Sequence, residues 1–466
     1  MRIAFTTVPA PGHLNSTTTL ARRLKVRGHD VVFIAVRDAE PFIRAAQLPY
    51  IPSAEKEYPA GSVGKILDQL SKLDGQAAIE FTFRALGDGL QSSFKNLPQI
   101  LLEACVDALV LDQFQFGLGL VPMHLGIPYV HFSNAVHIDF SGNAPLCLFD
   151  WPHETTPEAL ARNQEGLRRI QHALEPVRAV ARSYAEKVGL QINWTDPFAT
   201  ISKLAWLTQM PKEFDFKCSH LPPQFHYTGP AHDGFGRIEP DFPWDRLTGE
   251  PLIYASMGTL QNGLEPVFSS IAAAVGTRPG VQLVLSIGPR LDAKRIESLP
   301  TNAIVVNSAP QLELLKRSTL CITHAGMNTT LESLTQGIPL VAIPVTNDQP
   351  GVAARIAYTK TGAFVPLQEM TVPRLSGLID EVLGNPEYRR NANRMKEAIA
   401  KTNGLEKAVD LLEEAFELSN RTESKTGSRG NSEGRTSSIM STSTSMSRSE
   451  EPGRQNEKSQ LRGRSG

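Results

Sequence analysis

The run His324-Ala325-Gly326-Met327-Asn328-Thr329-Thr330-Leu331-Glu332, followed by Pro339-Leu340-Val341-Ala342-Ile343-Pro344 and then by Asp348-Gln349, decides how this chain is read. Residues 319–323 are a short apolar run of the kind that forms a buried parallel strand, and residues 328–336 have the polar start and leucine spacing of a helix. The motif therefore sits on a strand-loop-helix turn. There the first backbone N–H groups of the helix have no partner and the helix dipole favours negative charge, so a diphosphate settles without a lysine or a metal. Gly326 lets the backbone come close, His324 offers a donor to a phosphate oxygen, and the side chains and amides of Asn328 and Thr329 add donors. Glu332, one turn further on, is placed to accept from two ribose hydroxyls, and Asp348 and Gln349 to reach the hydroxyls of a sugar beyond the diphosphate. Taken singly, each residue has a plainer reading as a turn, an N-cap or a solvated face. Their joint spacing is what points to a nucleotide sugar.

The composition is that of an ordinary globular chain. Its 466 residues, 41% of them hydrophobic, suffice for two cores and a tail. A formal net charge of -1 and a pI near 6.8 give no field to gather nucleic acid or anionic lipid over the whole surface, so no nucleic-acid partner is expected. Cys105, Cys147, Cys218 and Cys321 are widely spaced, which suggests reduced, buried thiols in a cytoplasmic protein. The apolar run at residues 3–8 is too short for a signal-peptide core, and no stretch approaches the roughly 20 residues of a membrane span.

Short apolar runs alternate with helical patterns through the first half, at residues 3–8, 17–27, 31–36, 108–112, 117–125 and 128–133. The rhythm restarts after a Pro/Gly-rich stretch, with strands expected at residues 252–256, 282–287, 303–306, 319–323 and 340–343. The expectation is an α/β fold of two facing Rossmann-like, doubly wound domains with a cleft between them: residues 1–237 for the acceptor, a linker at 238–251, and 252–385 for the nucleotide sugar. Residues 386–418 read as closing helices that pack back toward the first domain, and 151–191 as a helical insertion flanking the acceptor side. From residue 419 to 466 the chain turns to Ser, Thr, Gly, Arg and Glu, a composition too poor in apolar residues to offset the entropy of ordering; it reads as a disordered tail, with partner binding as the alternative.

The catalytic end is expected at Pro11-Gly12-His13-Leu14-Asn15, where the first helix begins above the first strand. Transfer to a hydroxyl needs its proton removed as it attacks, and imidazole is the side chain best matched to that task. Asp112, at the end of the strand Ala108-Leu109-Val110-Leu111-Asp112, would fix the tautomer of His13 and stabilise the imidazolium. His131 and His137 are possible substitutes, expected instead to line the acceptor pocket. Ser256-Met257-Gly258-Thr259 would meet the diphosphate and Ala309-Pro310-Gln311 would hold the base through its backbone, although a plain turn and a helix start explain them almost as well.

Together these residues resemble the inverting GT-B glycosyltransferases that use UDP-sugars. The resemblance spans residues 1–415, and Gly12-His13-Leu14-Asn15, Asp112-Gln113, Ala309-Pro310-Gln311-Leu312-Glu313-Leu314-Leu315 and Asp348-Gln349-Pro350-Gly351-Val352-Ala353-Ala354-Arg355-Ile356 are most similar to the zeaxanthin glucosyltransferase and macrolide glycosyltransferase branch. It implies His13 as general base, Asp112 as its orienting acid, His324 with the Asn328 and Thr329 amides as diphosphate holders, Glu332 as ribose acceptor and Asp348-Gln349 as sugar readers. It implies no metal and no cofactor, the UDP-sugar being a co-substrate. Ser308 stands where many members stack an aromatic ring on uracil, a loss worth about 0.5–1.5 kcal/mol. The acceptor pocket falls to residues 53–91 and 132–192, whose apolar content suits a lipophilic molecule and loose membrane contact. A carotenoid hydroxyl is the first expectation; macrolide, flavonoid or sterol acceptors share every motif. A sugar-nucleotide epimerase would need further acid/base groups around the sugar, and a non-catalytic sensor would not need His13 and Asp112.

Overall fold

Strands buried on both faces need no alternation, and the apolar runs of this chain behave accordingly: all five residues of Ala108–Asp112 and of Leu252–Ser256 are buried. In the computed structural model the described residues are 1–429 apart from 74, 218–220, 236–239, 259–264 and 290, with residues 418–429 as backbone only. Among them, β1 (Arg2–Thr6), β2 (Asp30–Ala35), β3 (Tyr50–Pro52), β4 (Ala108–Asp112), β5 (Tyr129–Ser133), β6 (Trp206–Thr208) and β7 (Phe225–Tyr227) form one parallel sheet in the order β3-β2-β1-β4-β5-β6-β7. A second parallel sheet holds β8 (Leu252–Ser256), β9 (Gln282–Ser286), β10 (Ile304–Val306), β11 (Ser318–Thr323), β12 (Leu340–Ala342) and β13 (Gly362–Phe364) in the order β10-β9-β8-β11-β12-β13.

In both sheets the direction of winding reverses at one place, between β1 and β4 and between β8 and β11. Connections leave such a point to opposite faces, which opens a crevice beyond the carboxyl ends of the two strands. His13 follows β1, Asp112 ends β4, Gly258 follows β8 and His324 follows β11. The topology thus puts all four at the two crevices.

Both sheets lie within one compact unit, Met1–Asn420. A single hydrophobic cluster runs from Val32 and Leu109 of the first sheet to Tyr254 and Leu340 of the second. The helix Gly404–Arg429 lays Ala408, Val409, Leu412 and Phe416 against Ile3, Phe5 and Leu24. Arg27 holds it from outside, donating to Glu406 and Asp410 at 2.6 Å and to Glu413 at 2.8 Å.

A buried ion pair also joins the two halves. Arg355 Nε donates to Asp215 Oδ1 at 2.8 Å, Tyr227 donates to Asp215 Oδ2 at 2.5 Å, and the guanidinium lies 4.1 Å from the Phe216 ring centroid. Burial would push the Asp215 carboxyl up, but Arg355 and His137 outweigh it and hold it below the ordinary carboxylate range. Removing one partner strands a charge away from water, so Arg355→Met should cost about 3–5 kcal/mol of unfolding free energy, read by denaturant titration. A loss indistinguishable from that of a surface substitution would contradict the assignment.

The structure departs from the sequence reading in several places. Residues 53–91, for which no helix was expected, hold the helix Ser62–Leu70 and the first part of the helix Gly75–Glu103. Gly87, Gly89 and Pro98 obscured the second helix, although Phe83, Leu90, Leu97 and Leu101 are its buried stripe. Cys105 is exposed, while Cys147 and Cys321 are buried; Cys218 lies outside the described residues. The backbone of the last helix runs to Arg429, past residue 419, because extending a nucleated helix costs little. The rest of the predicted tail, 430–466, and residues 238–239 of the predicted linker lie outside the described residues.

Candidate active site

His13 sits in the first turn of the helix Pro11–Val26, which Pro11 opens without losing a backbone hydrogen bond. Its Nδ1 is 2.6 Å from Asp112 Oδ2. The same oxygen accepts from the Thr7 hydroxyl at 2.6 Å, the Asn134 amide at 3.0 Å and the Val8 N–H at 3.3 Å, while Oδ1 accepts from the Phe114 N–H at 2.9 Å. A carboxylate so completely satisfied is fixed in place and ionised. Burial alone would raise the Asp112 pKa, but His13 and these donors bring it below its ordinary value. Burial alone would likewise lower His13, and the Asp112 charge, its hydrogen bond and Asp348 more than reverse it. With Nδ1–H given to Asp112, the Nε2 lone pair is the basic one.

Across the cavity, β11 ends in His324-Ala325-Gly326 and the helix Met327–Thr335 begins. Ala325 takes φ 65°, a left-handed conformation that costs a residue with a Cβ and persists because the buried turn dictates it. The His324 ring is pressed between two glycines: a Cβ on Gly258 would lie 2.4 Å from its Cε1, and one on Gly326 2.5 Å from its Nε2. Gly326 therefore makes room for the imidazole rather than only for a ligand. Burial pushes the His324 pKa down to about 4, against the opposing backbone hydrogen bond to Ser256, so the ring is neutral and has a single N–H.

Glu332, buried one turn into the helix, accepts from Gln311 Nε2 at 2.6 Å, and Gln311 Oε1 accepts from the Tyr254 hydroxyl at 3.0 Å. The Gln311 side chain thus links Glu332 to Tyr254, a contact the reading of its loop did not include. Gln349 Oε1 accepts from the Val345 and Thr346 N–H groups at 2.9 and 3.2 Å, so that end of the amide shapes the preceding loop. Asp348 Oδ2 accepts from the Val136 N–H at 3.2 Å, and burial pushes its carboxyl up. The side chain of Asn328 reaches the first sheet, donating to the Gly12 carbonyl at 2.7 Å and accepting from Gln209 at 2.9 Å. Both ends of the side chain that the sequence offered to a diphosphate thus meet groups of the first sheet, while its backbone amide stands in the first turn of the helix.

One cavity of about 690 Å³ collects nearly all of these residues. His13 lines it from the first sheet, and Gly258, Ser308, Ala309, Gln311, His324, Gly326, Asn328, Thr329, Glu332, Asp348 and Gln349 from the second. Asp112 stands behind His13, and Thr259 lies outside the described residues. An apolar arm continues between the helices Ser62–Leu70 and Gly75–Glu103, past Val63, Ile66, Phe81, Leu86 and Leu90. His131 and His137 do not line this cavity. His131 faces a smaller one, with Nδ1 accepting from the Ser202 N–H at 3.1 Å and its pKa pushed down to about 4 by burial; His137 is buried beside Asp215 at 3.5 Å. The turn that follows β5 does reach the main cavity, through Asn134 and Ala135, but the His131 side chain within the strand lines the smaller one. Sequence reasoning missed Asn134 and Gln209, since an amide after an apolar run carries no signal of its own. Among the described residues no three His, Cys, Asp or Glu cluster as a metal site would require, and no helix is long and apolar enough to cross a membrane.

A family model described as UDP-glucoronosyl and UDP-glucosyl transferase matches residues 199–410. An uncharacterized UDP-glucosyltransferase, YojK, of Bacillus subtilis (strain 168) is 34% identical over 420 residues, covering 87% of this chain and 95% of the relative. The zeaxanthin glucosyltransferase of Pantoea ananas is 26% identical over 410 residues, covering 88% and 94%. Among solved structures, the glycosyltransferase of kitacinnamycin superposes with a TM-score of 0.68 at 22% identity, over 89% of this chain and 98% of that one. The chain belongs to the UDP-glycosyltransferase family and has the GT-B fold. It is an enzyme that transfers a sugar from a nucleotide-sugar donor to an acceptor.

Proposed function

We propose that this enzyme moves a hexose, glucose first among the candidates, from a UDP-sugar to a hydroxyl of a lipophilic acceptor, with inversion and without metal or cofactor. The observation that carries the reading is the placement of the His13 and Asp112 couple and the free helix N-terminus at Met327–Thr335 on opposite walls of one cavity. His13 Nε2 takes the proton of the acceptor hydroxyl as its oxygen attacks the anomeric carbon, and the bond to the diphosphate breaks on the opposite face, so an α-linked donor gives a β-glycoside. The charge growing on the departing diphosphate meets the unpaired amides at Asn328 and Thr329 and the helix dipole, oriented beforehand, with the His324 ring beside them. Glu332 takes the ribose hydroxyls, and Asp348 with Gln349 the sugar hydroxyls.

The base subsite has Ser308, Ala309 and Pro289 along its wall, so uracil is held by edges and backbone more than by stacking. The acceptor proposed is a carotenoid such as zeaxanthin, supported by the apolar arm and by the named zeaxanthin glucosyltransferases. A macrolide is the second reading, favoured by the demethyllactenocin mycarosyltransferase of Streptomyces fradiae at 26% identity over 88% of this chain. The enzyme would act in the cytoplasm, in loose contact with a membrane that supplies the acceptor.

Glu332→Ala should weaken UDP-glucose binding roughly ten- to a hundredfold by calorimetry, the worth of charge-assisted hydrogen bonds to a buried carboxylate. Unchanged affinity would remove Glu332 from the ribose site. The acceptor is tested by mass spectrometry of products after incubation with UDP-glucose and either zeaxanthin or a macrolide aglycone. A carotenoid glucoside supports the first reading, and a macrolide glycoside alone the second.

A further inference from the structure

The amide of Asn328 is engaged at both ends by groups of the first sheet, and the groups it meets lead straight to the base. Its Nδ2 donates at 2.7 Å to the Gly12 carbonyl, which belongs to the peptide bond entering His13. Its Oδ1 accepts at 2.9 Å from Nε2 of Gln209. Gln209 lies just past β6, is buried, and gives Nε2 also to the backbone carbonyl of Asn134. Asn134 Nδ2 donates to Asp112 at 3.0 Å, and its Oδ1 accepts from the hydroxyls of Ser16 and Thr17 at 2.6 and 3.0 Å. A closed circuit results, from Gln209 through Asn328, Gly12, His13, Asp112 and Asn134 back to Gln209. One member, Asn328, is in the first turn of the helix that faces the diphosphate site.

The chemistry of the circuit fixes its direction. An amide nitrogen has two hydrogens, and those of Gln209 go to two carbonyl oxygens, which leaves it no other role. Asn328 must then present oxygen to Gln209 and nitrogen to Gly12. Rotated half a turn, it would set donor against donor and oxygen against oxygen. Gln209 is thus what holds the Asn328 amide in the orientation that grips the peptide ahead of His13.

We propose that Gln209 is a positioning residue for the transfer step: it ties the first turn of the diphosphate-facing helix to the His13–Asp112 couple, so that the imidazole is held in its attacking geometry while the two crevices are closed on each other. This rests on the reading of His13 as the base. Loss of the tie lets the crevices part, which slows attack by the acceptor and admits water to the anomeric carbon.

The test uses the full chain with Gln209→Met, close in length but without donors, and Asn328→Ala, which breaks the circuit from the cavity side without repacking a core. The readouts are kcat, UDP affinity by calorimetry, and the ratio of free sugar to glycoside. Both variants should lose about ten- to a hundredfold in kcat, keep UDP affinity within about twofold, and raise the free-sugar ratio. Wild-type kcat and product ratio in a Gln209→Met protein of unchanged melting temperature would overturn the proposal. If Gln209→Met does not fold, Asn328→Ala decides alone: unchanged kcat, or a loss confined to UDP affinity, would overturn it. The base assignment stands or falls separately on His13→Ala, because retained transfer there refutes the base whatever Gln209 does.

Discussion

Replacing His13 with alanine will abolish measurable transfer while UDP binding survives. The imidazole lines the cavity with its proton partner already engaged, Nδ1 lying 2.6 Å from the Asp112 carboxylate. General-base assistance is worth about 10²–10⁴-fold, and an alcohol near neutral pH has no other route to its alkoxide. The amides and His324 proposed to hold the diphosphate belong to the opposite wall, so calorimetry with UDP should show little change. Transfer by His13→Ala at the parent rate would refute the role, and loss of UDP binding would mean that the substitution had damaged the cavity itself.

Asp112→Asn carries the second large effect. The amide keeps the shape of the carboxylate but removes its charge, and it can turn its NH₂ toward His13, which stabilises the wrong tautomer and leaves Nε2 protonated. In an analogous Ser-His-Asp couple this exchange costs about 10⁴-fold, and a loss of that order is expected here. The pH dependence supplies an independent reading. A base works deprotonated, so kcat/KM should fall as pH drops through the His13 pKa, with a midpoint above that of an ordinary histidine because Asp112 and Asp348 favour the imidazolium. Without the Asp112 charge, burial is less opposed and the midpoint should move downward. An unchanged midpoint in Asp112→Asn would assign the titration to another group.

Much of this arrangement could be read from the residues. Strands such as Ala108–Asp112 and Ser318–Thr323 announce themselves as short apolar runs, and parallel winding then places whatever follows them at a crevice. His13, Asp112, His324 and Glu332 were legible because their types are chemically loaded and their positions follow strands. The amides were not. Asn328 reads as a donor wherever it stands, and only the distances to Gly12 and Gln209 show that its side chain faces the other sheet. Gly258 and Gly326 look like ligand-approach glycines, yet the atoms a Cβ would strike belong to His324, and the contact with Gly258 joins residues too far apart in the chain for a sequence argument to find. The apolar arm of the cavity was hidden for a different reason: Gly87, Gly89 and Pro98 interrupt the signal of a 29-residue helix whose tertiary packing overrides local preference.

In the proposed reaction a base from the first sheet and a diphosphate cradle from the second act on one sugar between them. A crystal structure of the enzyme with UDP and an acceptor tests it most directly. Diphosphate oxygens are expected within hydrogen-bond distance of the Asn328 and Thr329 amides and beside His324, with the acceptor hydroxyl about 3 Å from His13 Nε2. A nucleotide bound away from the start of the helix Met327–Thr335, or an acceptor hydroxyl that His13 cannot reach, would contradict it.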